Sequence, residues 1–275
     1  MTGLSARNLG RGPFTADSVS EGAPYELSNG HAIQCMPTGG RGARANLIGA
    51  AVLETDPLVT EAGVDVGYSS EAHQLRAPDV AIGNVPDEPS WVRGVPPLAV
   101  EYADRGQDDE ELERKIAELL AAGTKWIWVV RLAGPRRVEV HQPGLPARLV
   151  RPGELLEAPG VLKNPVRVEE LYDADAAHDA MLRNLIQRQG YTSLKEALAQ
   201  AAQEGRSEGR NEGRNEAARA LFLRRLGRAA RPDEARMLEE RLETVGAEAV
   251  QDAAVDAKGE ALAAWLQGGP RPQPG

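Results

Sequence analysis

Trp126-Ile127-Trp128-Val129-Val130 is a run of five residues without a polar side chain. That is the length of a strand and not of a helix. Strands buried on both faces belong to parallel or mixed sheets covered by helices. The segment just before it, 108–122, has helical period. Ile116, Leu119 and Leu120 form its apolar face, acidic residues crowd its first turn, and Gly123 follows. Acids at the start complement the helix dipole, and glycine ends a helix in a left-handed conformation. Further upstream, Val80 and Ile82 and then Leu98 and Val100 mark two more strands. Strand, helix and strand in this order predict a mixed α/β layer.

The flanks extend this layout. Tyr25-Glu26-Leu27, Asn29-Gly30 and Ala32-Ile33 read as a hairpin around a tight turn. Residues 43–55 carry Leu47, Ile48, Ala51 and Val52 at helical spacing, and Pro57 stops the helix. Val59, Val64, Val66 and Tyr68 sit in strand-like surroundings, and Val138 and Val140 alternate with charges as in an edge strand. A turn-rich segment from Leu155 to Leu171 closes the domain. Residues 1–24, rich in Gly, Ser and Ala, read as a flexible arm. The folded domain is therefore expected over 25–175, a helical region over 176–267, and a disordered Pro/Gly tail over 268–275.

Within the helical region lies a four-residue repeat, Glu204-Gly205-Arg206-Ser207, Glu208-Gly209-Arg210-Asn211 and Glu212-Gly213-Arg214-Asn215. Every fourth residue falls close on one helix face, so Glu, Gly and Arg each form a stripe. Each Gly costs about 1 kcal/mol of helix stability relative to Ala. Two readings stand: a charged helical linker, or a coiled, self-associating helix pair in which Glu stripes meet Arg stripes and the glycines admit close approach. Beyond it, Leu221, Leu223 and Leu226, then Pro232-Asp233-Glu234, then Trp265 and Leu266 mark further helices.

Charge narrows the function classes. Residues 178–275 carry fifteen basic and fifteen acidic side chains, so the net charge of −9 lies wholly in residues 1–177. An acidic front segment argues against strong non-specific binding to nucleic acid, which needs clustered Lys and Arg. A metal-centred site tolerates it, because the ion compensates the carboxylates. Cys35 is the single cysteine, which excludes an intramolecular disulfide and fits a reducing cytoplasm. Met1 to Phe14 lacks the pattern of a secretory signal, and no apolar stretch is long enough for a bilayer. His31, His73, His141 and His178 are dispersed without zinc spacing, and there is no phosphate-cradling Gly-rich loop ending in Lys-Ser or Lys-Thr.

Asp79 and Glu101 carry the candidate chemistry. Each adjoins an apolar strand, so a rigid sheet would hold its carboxylate. If the strands are neighbours, the pair can share a divalent ion, with the backbone carbonyl of Tyr102 completing the shell. Magnesium held in this way can activate water and stabilise charge on a phosphodiester. A lysine near the phosphate would add to that stabilisation. The bland alternatives are equally concrete. Asp79 after Pro78 suits a turn, and Glu101 suits a solvent-facing strand end. Lys115 follows Glu111 at the four-residue spacing of an intrahelical ion pair. A glutamate deep in a sheet, however, demands an ion or a cationic neighbour.

The ordered motifs resemble those of the Uma-two family of restriction-endonuclease-like proteins, a branch of the PD-(D/E)XK nuclease superfamily. The resemblance covers about Tyr25 to Tyr172. It rests on Tyr25-Glu26-Leu27 with Gly30, and on Met36-Pro37 with Gly39-Gly40. It rests further on Arg76-Ala77-Pro78-Asp79-Val80, on Pro96-Pro97-Leu98-Ala99-Val100-Glu101, and on Lys115 with Gly123 and Trp128 behind it. It implies a restriction-endonuclease-like, four-stranded mixed sheet flanked by helices. It also implies Mg²⁺-dependent cleavage of DNA, with Mn²⁺ as a substitute ion. Asp79, Glu101 and Tyr102 would be the metal ligands. The usual lysine two positions after the glutamate is absent, since Ala103 stands there, and Lys115 matches the helix lysine that replaces it in this branch. Other departures are Arg41-Gly42-Ala43-Arg44 in place of a histidine near the first helix, Asp104 for a serine, Leu119 for a tyrosine, and Arg131 for an aspartate. Two functions are therefore expected in competition. One is a cytoplasmic DNA endonuclease acting as a homodimer or higher oligomer. The other is a catalytically weak nuclease fold that serves in protein assembly through its helical tail.

Overall fold

A computed structural model describes residues 12–106 and 108–270. The strands are β1 (Tyr25–Ser28), β2 (His31–Gln34), β3 (Ala62–Val64), β4 (Tyr68–Ser69), β5 (Val80–Ile82), β6 (Val92–Arg93), β7 (Leu98–Ala103), β8 (Trp126–Arg131), β9 (Arg137–His141), β10 (Arg148–Val150), β11 (Leu155–Leu156) and β12 (Val166–Arg167). The helices are α1 (Gly40–Glu54), α2 (Asp109–Ala122), α3 (Ala174–Arg188), α4 (Leu194–Leu226), α5 (Pro232–Thr244), α6 (Gly246–Asp256) and α7 (Gly259–Leu266). The chain divides into two compact units, one ending at Leu194 and one beginning at Lys195.

The first unit is built on a six-stranded sheet in the order β10-β9-β8-β7-β5-β3. Only β7 and β8 are parallel, and the other pairs are antiparallel. A parallel pair needs a crossover, and α2 supplies it. The apolar run from Trp126 to Val130 is β8, inside the sheet as its composition predicts. The sheet has six strands, two more than the four the family resemblance implied, with β10 at one edge and β3 at the other.

Alternation along the strands sorts two cores. Ala99, Ala103, Ile127 and Val129 pack against Leu112, Ile116 and Leu119 of α2. Val80, Ile82, Leu98, Val100, Tyr102, Trp128 and Val130 share the other core with Ala45, Val52 and Leu53 of α1 and Ala177 and Ala180 of α3. Full burial of one such aliphatic side chain contributes about 1.5–3 kcal/mol. Asp108 caps α2 by accepting from the N–H groups of Glu110 and Glu111, and Gly123 closes it at φ 116°.

Three expectations are corrected here. Helix α1 begins at Gly40 and buries Gly42, Ala45, Gly49, Val52 and Leu53, whereas Leu47 is 71% exposed. Ala16 and Val19 are buried with Tyr25, Leu27 and Leu75, so the part of the expected arm from residue 12 onward is packed. Residues 1–11 lie outside the described residues. The units divide at 194/195 and not near 175, because α3 is part of the main core.

In the second unit, Ala218, Phe222 and Leu226 of α4 pack with Leu238, Leu242, Val250, Ala253, Ala254, Leu262, Trp265 and Leu266. Glu234, only 1% exposed, is satisfied by Arg228 and by the N–H of Arg231. Residues 271–275 of the expected tail lie outside the described residues. Among the described residues, no helix is long and apolar enough to cross a membrane.

Candidate active site

In the β5–β7 pair, Val80 stands opposite Val100 and Ala81 opposite Ala99. One residue further along this register, Asp79 stands opposite Glu101. Val80 and Val100 face α1, so alternation turns both carboxylates to the α2 side of the sheet. Directly opposed residues have Cβ atoms about 4.5–5.5 Å apart. The N–H of Tyr102 donates to Asp79 Oδ2 at 2.6 Å, which ties the aspartate to the strand that carries Glu101. Asp79 therefore lies at the start of an inner strand, not in a solvent turn, and Glu101 is only 6% exposed.

Lys115 reaches the same place. Leu112, Ile116 and Leu119 hold α2 against the sheet, and Lys115 lies at the edge of that buried face. Its Nζ lies 2.8 Å from Glu101 Oε1, 3.0 Å from Glu26 Oε1 and 2.7 Å from the carbonyl oxygen of Ala77. The contact to Glu101 is an ion pair whose angles depart from those of a hydrogen bond. The alternative pairing with Glu111 does not occur, because Glu111 is engaged by Arg76 and Arg114.

Two residues of this cluster were not singled out from the sequence for chemistry. Glu26 lies on β1, whose four residues are all buried. Arg76 is 3% exposed. Its Nη1 lies 2.9 Å from Glu26 Oε2 and 2.7 Å from Glu111 Oε1, and its Nε donates to Glu118 Oε2 at 2.5 Å. Ser28 donates to the other oxygen of Glu118. Glu111, Lys115 and Glu118 are spaced to share one stripe of α2. The available signal was an acid inside an apolar strand segment, since Glu and Arg are almost never fully buried unpaired.

Five carboxylates thus surround two buried cations, with Arg114 adding a third from the surface. Burial pushes the Glu101 carboxyl up to about 8, against the pull of Lys115 and with the help of Asp79 and Glu26. Burial also raises Asp79, opposed by Lys115 and by the Tyr102 N–H. Glu26 is raised by burial but more than offset by Lys115 and Arg76, so it sits below its ordinary value. Desolvation opposes the charge on Lys115, yet Glu101, Glu26 and Asp79 outweigh it and keep the ammonium protonated.

The donor set suits a hard cation that keeps much of its water. Among the described residues, neither Asp79 Oδ1 nor Glu101 Oε2 is engaged in a hydrogen bond or ion pair. The C=O of a strand residue points to the same edge as its N–H, so the Tyr102 carbonyl faces the edge where Asp79 lies. Two carboxylates and a carbonyl fit magnesium, which uses one or two carboxylates and retains waters. Among the described residues there is no group of three or more His, Cys, Asp or Glu arranged to hold a metal, which does not suit a dedicated zinc site.

Two departures from the family pattern meet in space. Arg41 Nε donates to Asp104 Oδ2 at 2.7 Å, joining the start of α1 to the chain just beyond β7. Arg131 pairs with Asp109 and Glu139.

Residues 16–167 match the model of the Uma2 family, described as a putative restriction endonuclease. The fold is similar to that in a crystal structure of a putative nuclease belonging to DUF820 from Anabaena variabilis ATCC 29413. That match has a TM-score of 0.52 and 17% identity over 59% of this chain and 99% of the other. No curated protein matches the chain.

Proposed function

Since this chain belongs to the Uma2 family of restriction-endonuclease-like proteins, we propose that it is a Mg²⁺-dependent endonuclease that hydrolyses DNA phosphodiester bonds. The observation that carries the reading is the meeting of Asp79, Glu101 and Lys115 on one face of the sheet. Asp79 and Glu101 would hold the ion, with the Tyr102 carbonyl and water filling its shell. When bound, Mg²⁺, or Mn²⁺ in its place, supplies an activated water and offsets charge developing on the phosphate.

The chain's own groups supply the rest. Asp79 is oriented by the Tyr102 N–H, so its second oxygen has a defined direction. Lys115 is held as an ammonium and so cannot act as a base; it would donate hydrogen bonds to negative oxygen and stabilise it by charge. The acidic front segment gives no general attraction for DNA, so binding relies on the ion and on local contacts. Salt dependence is accordingly shallow compared with basic DNA-binding proteins. A cytoplasmic setting agrees with the lone, unpaired Cys35.

The test is plasmid cleavage in Mg²⁺ by the wild type and by Asp79→Ala, Glu101→Gln and Lys115→Ala. Each substitution is expected to lower the rate at least a hundredfold. Equal rates in all four proteins would remove the site assignment.

A second reading concerns the helical unit. Every residue from 201 to 214 is exposed, including Gly205, Gly209 and Gly213. A helical stretch with three exposed glycines is weak on its own. We infer that it pairs with a second copy of the chain, giving a homodimer or higher oligomer. Glu precedes and Arg follows each glycine, so in a parallel pair the Glu flank of one copy meets the Arg flank of the other. If the endonuclease is weak or inactive, this assembly role is the remaining function.

A further inference from the structure

Glu26 comes from a hairpin outside the six-stranded sheet, yet three separate contacts join it to the site. Its Oε1 lies 3.0 Å from Lys115 Nζ and accepts from the Ala77 N–H at 3.2 Å, and its Oε2 lies 2.9 Å from Arg76 Nη1. Lys115 in turn donates to the Ala77 carbonyl at 2.7 Å. Both backbone polar groups of Ala77 are therefore clamped by charged side chains, two residues before Asp79. Both oxygens of Glu26 are engaged by the chain's own donors, whereas one oxygen each of Asp79 and Glu101 is not.

We propose that Glu26 is a positioning residue of the active site, acting through Lys115; this rests on the endonuclease reading above. The physical argument is a competition for one ammonium group. Lys115 has three N–H donors and three oxygens within 3.0 Å, from Glu26, Glu101 and Ala77. The acceptor on Glu26 draws the ammonium away from the Asp79–Glu101 edge, where the unengaged carboxylate oxygens lie. Without it, the freed N–H turns to those oxygens and occupies them in place of a divalent cation. Glu26 also holds Ala77, and with it the approach of Asp79 to β7. Arg76 supports Glu26 from the far side and is itself fixed by Glu111 and Glu118.

A double-mutant cycle in the full-length protein tests this, with Mn²⁺ affinity by calorimetry as the main readout and plasmid cleavage as the second. Glu26→Gln leaves only a neutral, weaker acceptor at the Oε1 position that Lys115 and the Ala77 N–H share, and leaves Arg76 with two carboxylates. It is expected to weaken Mn²⁺ binding at least tenfold in the wild-type background and less than threefold in a Lys115→Met background. Cleavage by Glu26→Gln should show a fall in kcat of at least tenfold, with KM for DNA changed less than threefold. Glu26→Asp, which retains the charge but withdraws it, serves as the folded alternative if the glutamine variant melts early, and should show an intermediate loss of affinity. Equal weakening in both backgrounds would overturn the proposal, because Glu26 would then act by its charge alone. A wild type that binds Mn²⁺ but cuts no DNA would sink the endonuclease reading while the Mn²⁺ cycle still decides the role of Glu26. A wild type that does neither overturns both.

Discussion

Glu101 shows how one residue's surroundings set a measurable property of the whole chain. Its folded carboxyl titrates at about 8, above the unfolded value of roughly 4.3. Between these values the native state binds more protons than the unfolded state, so stability falls as pH rises through that window. Glu101→Gln removes the titration. Urea unfolding at pH 5.5 and at pH 9 should therefore show a larger loss in the wild type than in the variant. One pKa unit corresponds to about 1.4 kcal/mol, and the expected difference is of the order of 1–3 kcal/mol once partial screening by Lys115 is allowed for. Parallel pH dependence in the two proteins would mean that Glu101 is ionised throughout. Asp79 and Glu101 were legible in the sequence as carboxylates beside apolar strands, whereas Lys115 was marked by the family resemblance, since its spacing alone pointed to Glu111. The parts played by Glu26 and Arg76 were not legible. Their pairing joins residues far apart along the chain, and no local periodicity encodes such a contact.

At the scale of elements, local chemistry was readable where a helix carries its own signals and misleading where it does not. Helix α2 has an acidic start, an Asp cap and a terminal glycine, and its observed span agrees closely with the span predicted. Helix α1 has Gly39 at its N-cap and no side-chain capping bond, so nothing in the sequence marks its true start. Its apolar spacing pointed to Leu47, but small residues settle the packing. A Cβ placed on Gly49 would lie 1.8 Å from the hydroxyl of Tyr102 and 3.2 Å from the Leu171 carbonyl oxygen. Tyr102 donates to that same oxygen at 3.0 Å. The helix therefore sits close on the sheet along its Gly42, Ala45 and Gly49 side, and Leu47 is turned outward. Gly49→Ala is expected to destabilise the first unit by about 1–3 kcal/mol through overpacking. Adding Tyr102→Phe removes the clashing hydroxyl, so the double substitution should cost less than the sum of the two single ones in thermal melts. Strict additivity would show that α1 shifts without resistance.

For the molecule as a whole, two kinds of stability stand side by side. The first unit is secured by a sheet with a core on either face, and the candidate site lies where β1, β5, β7 and α2 come together. The second has its own core at the end of α4, while the preceding helical turns have no buried side chain from residue 201 to 214. An added Cβ at Gly205, Gly209 or Gly213 meets nothing within 4 Å. Replacing all three with alanine should raise helix stability by roughly 1 kcal/mol per site, seen as greater helicity and a higher melting temperature by circular dichroism. If a second copy packs against this stripe, the same methyl groups keep the two backbones apart. Light scattering should then give a dimer or larger for the wild type at tens of micromolar, and a smaller mass for the triple variant. The two readouts move in opposite directions: a stabilised helix with weakened association. A helical linker would gain the stability and keep its mass unchanged, and a monomeric wild type would end the self-association reading.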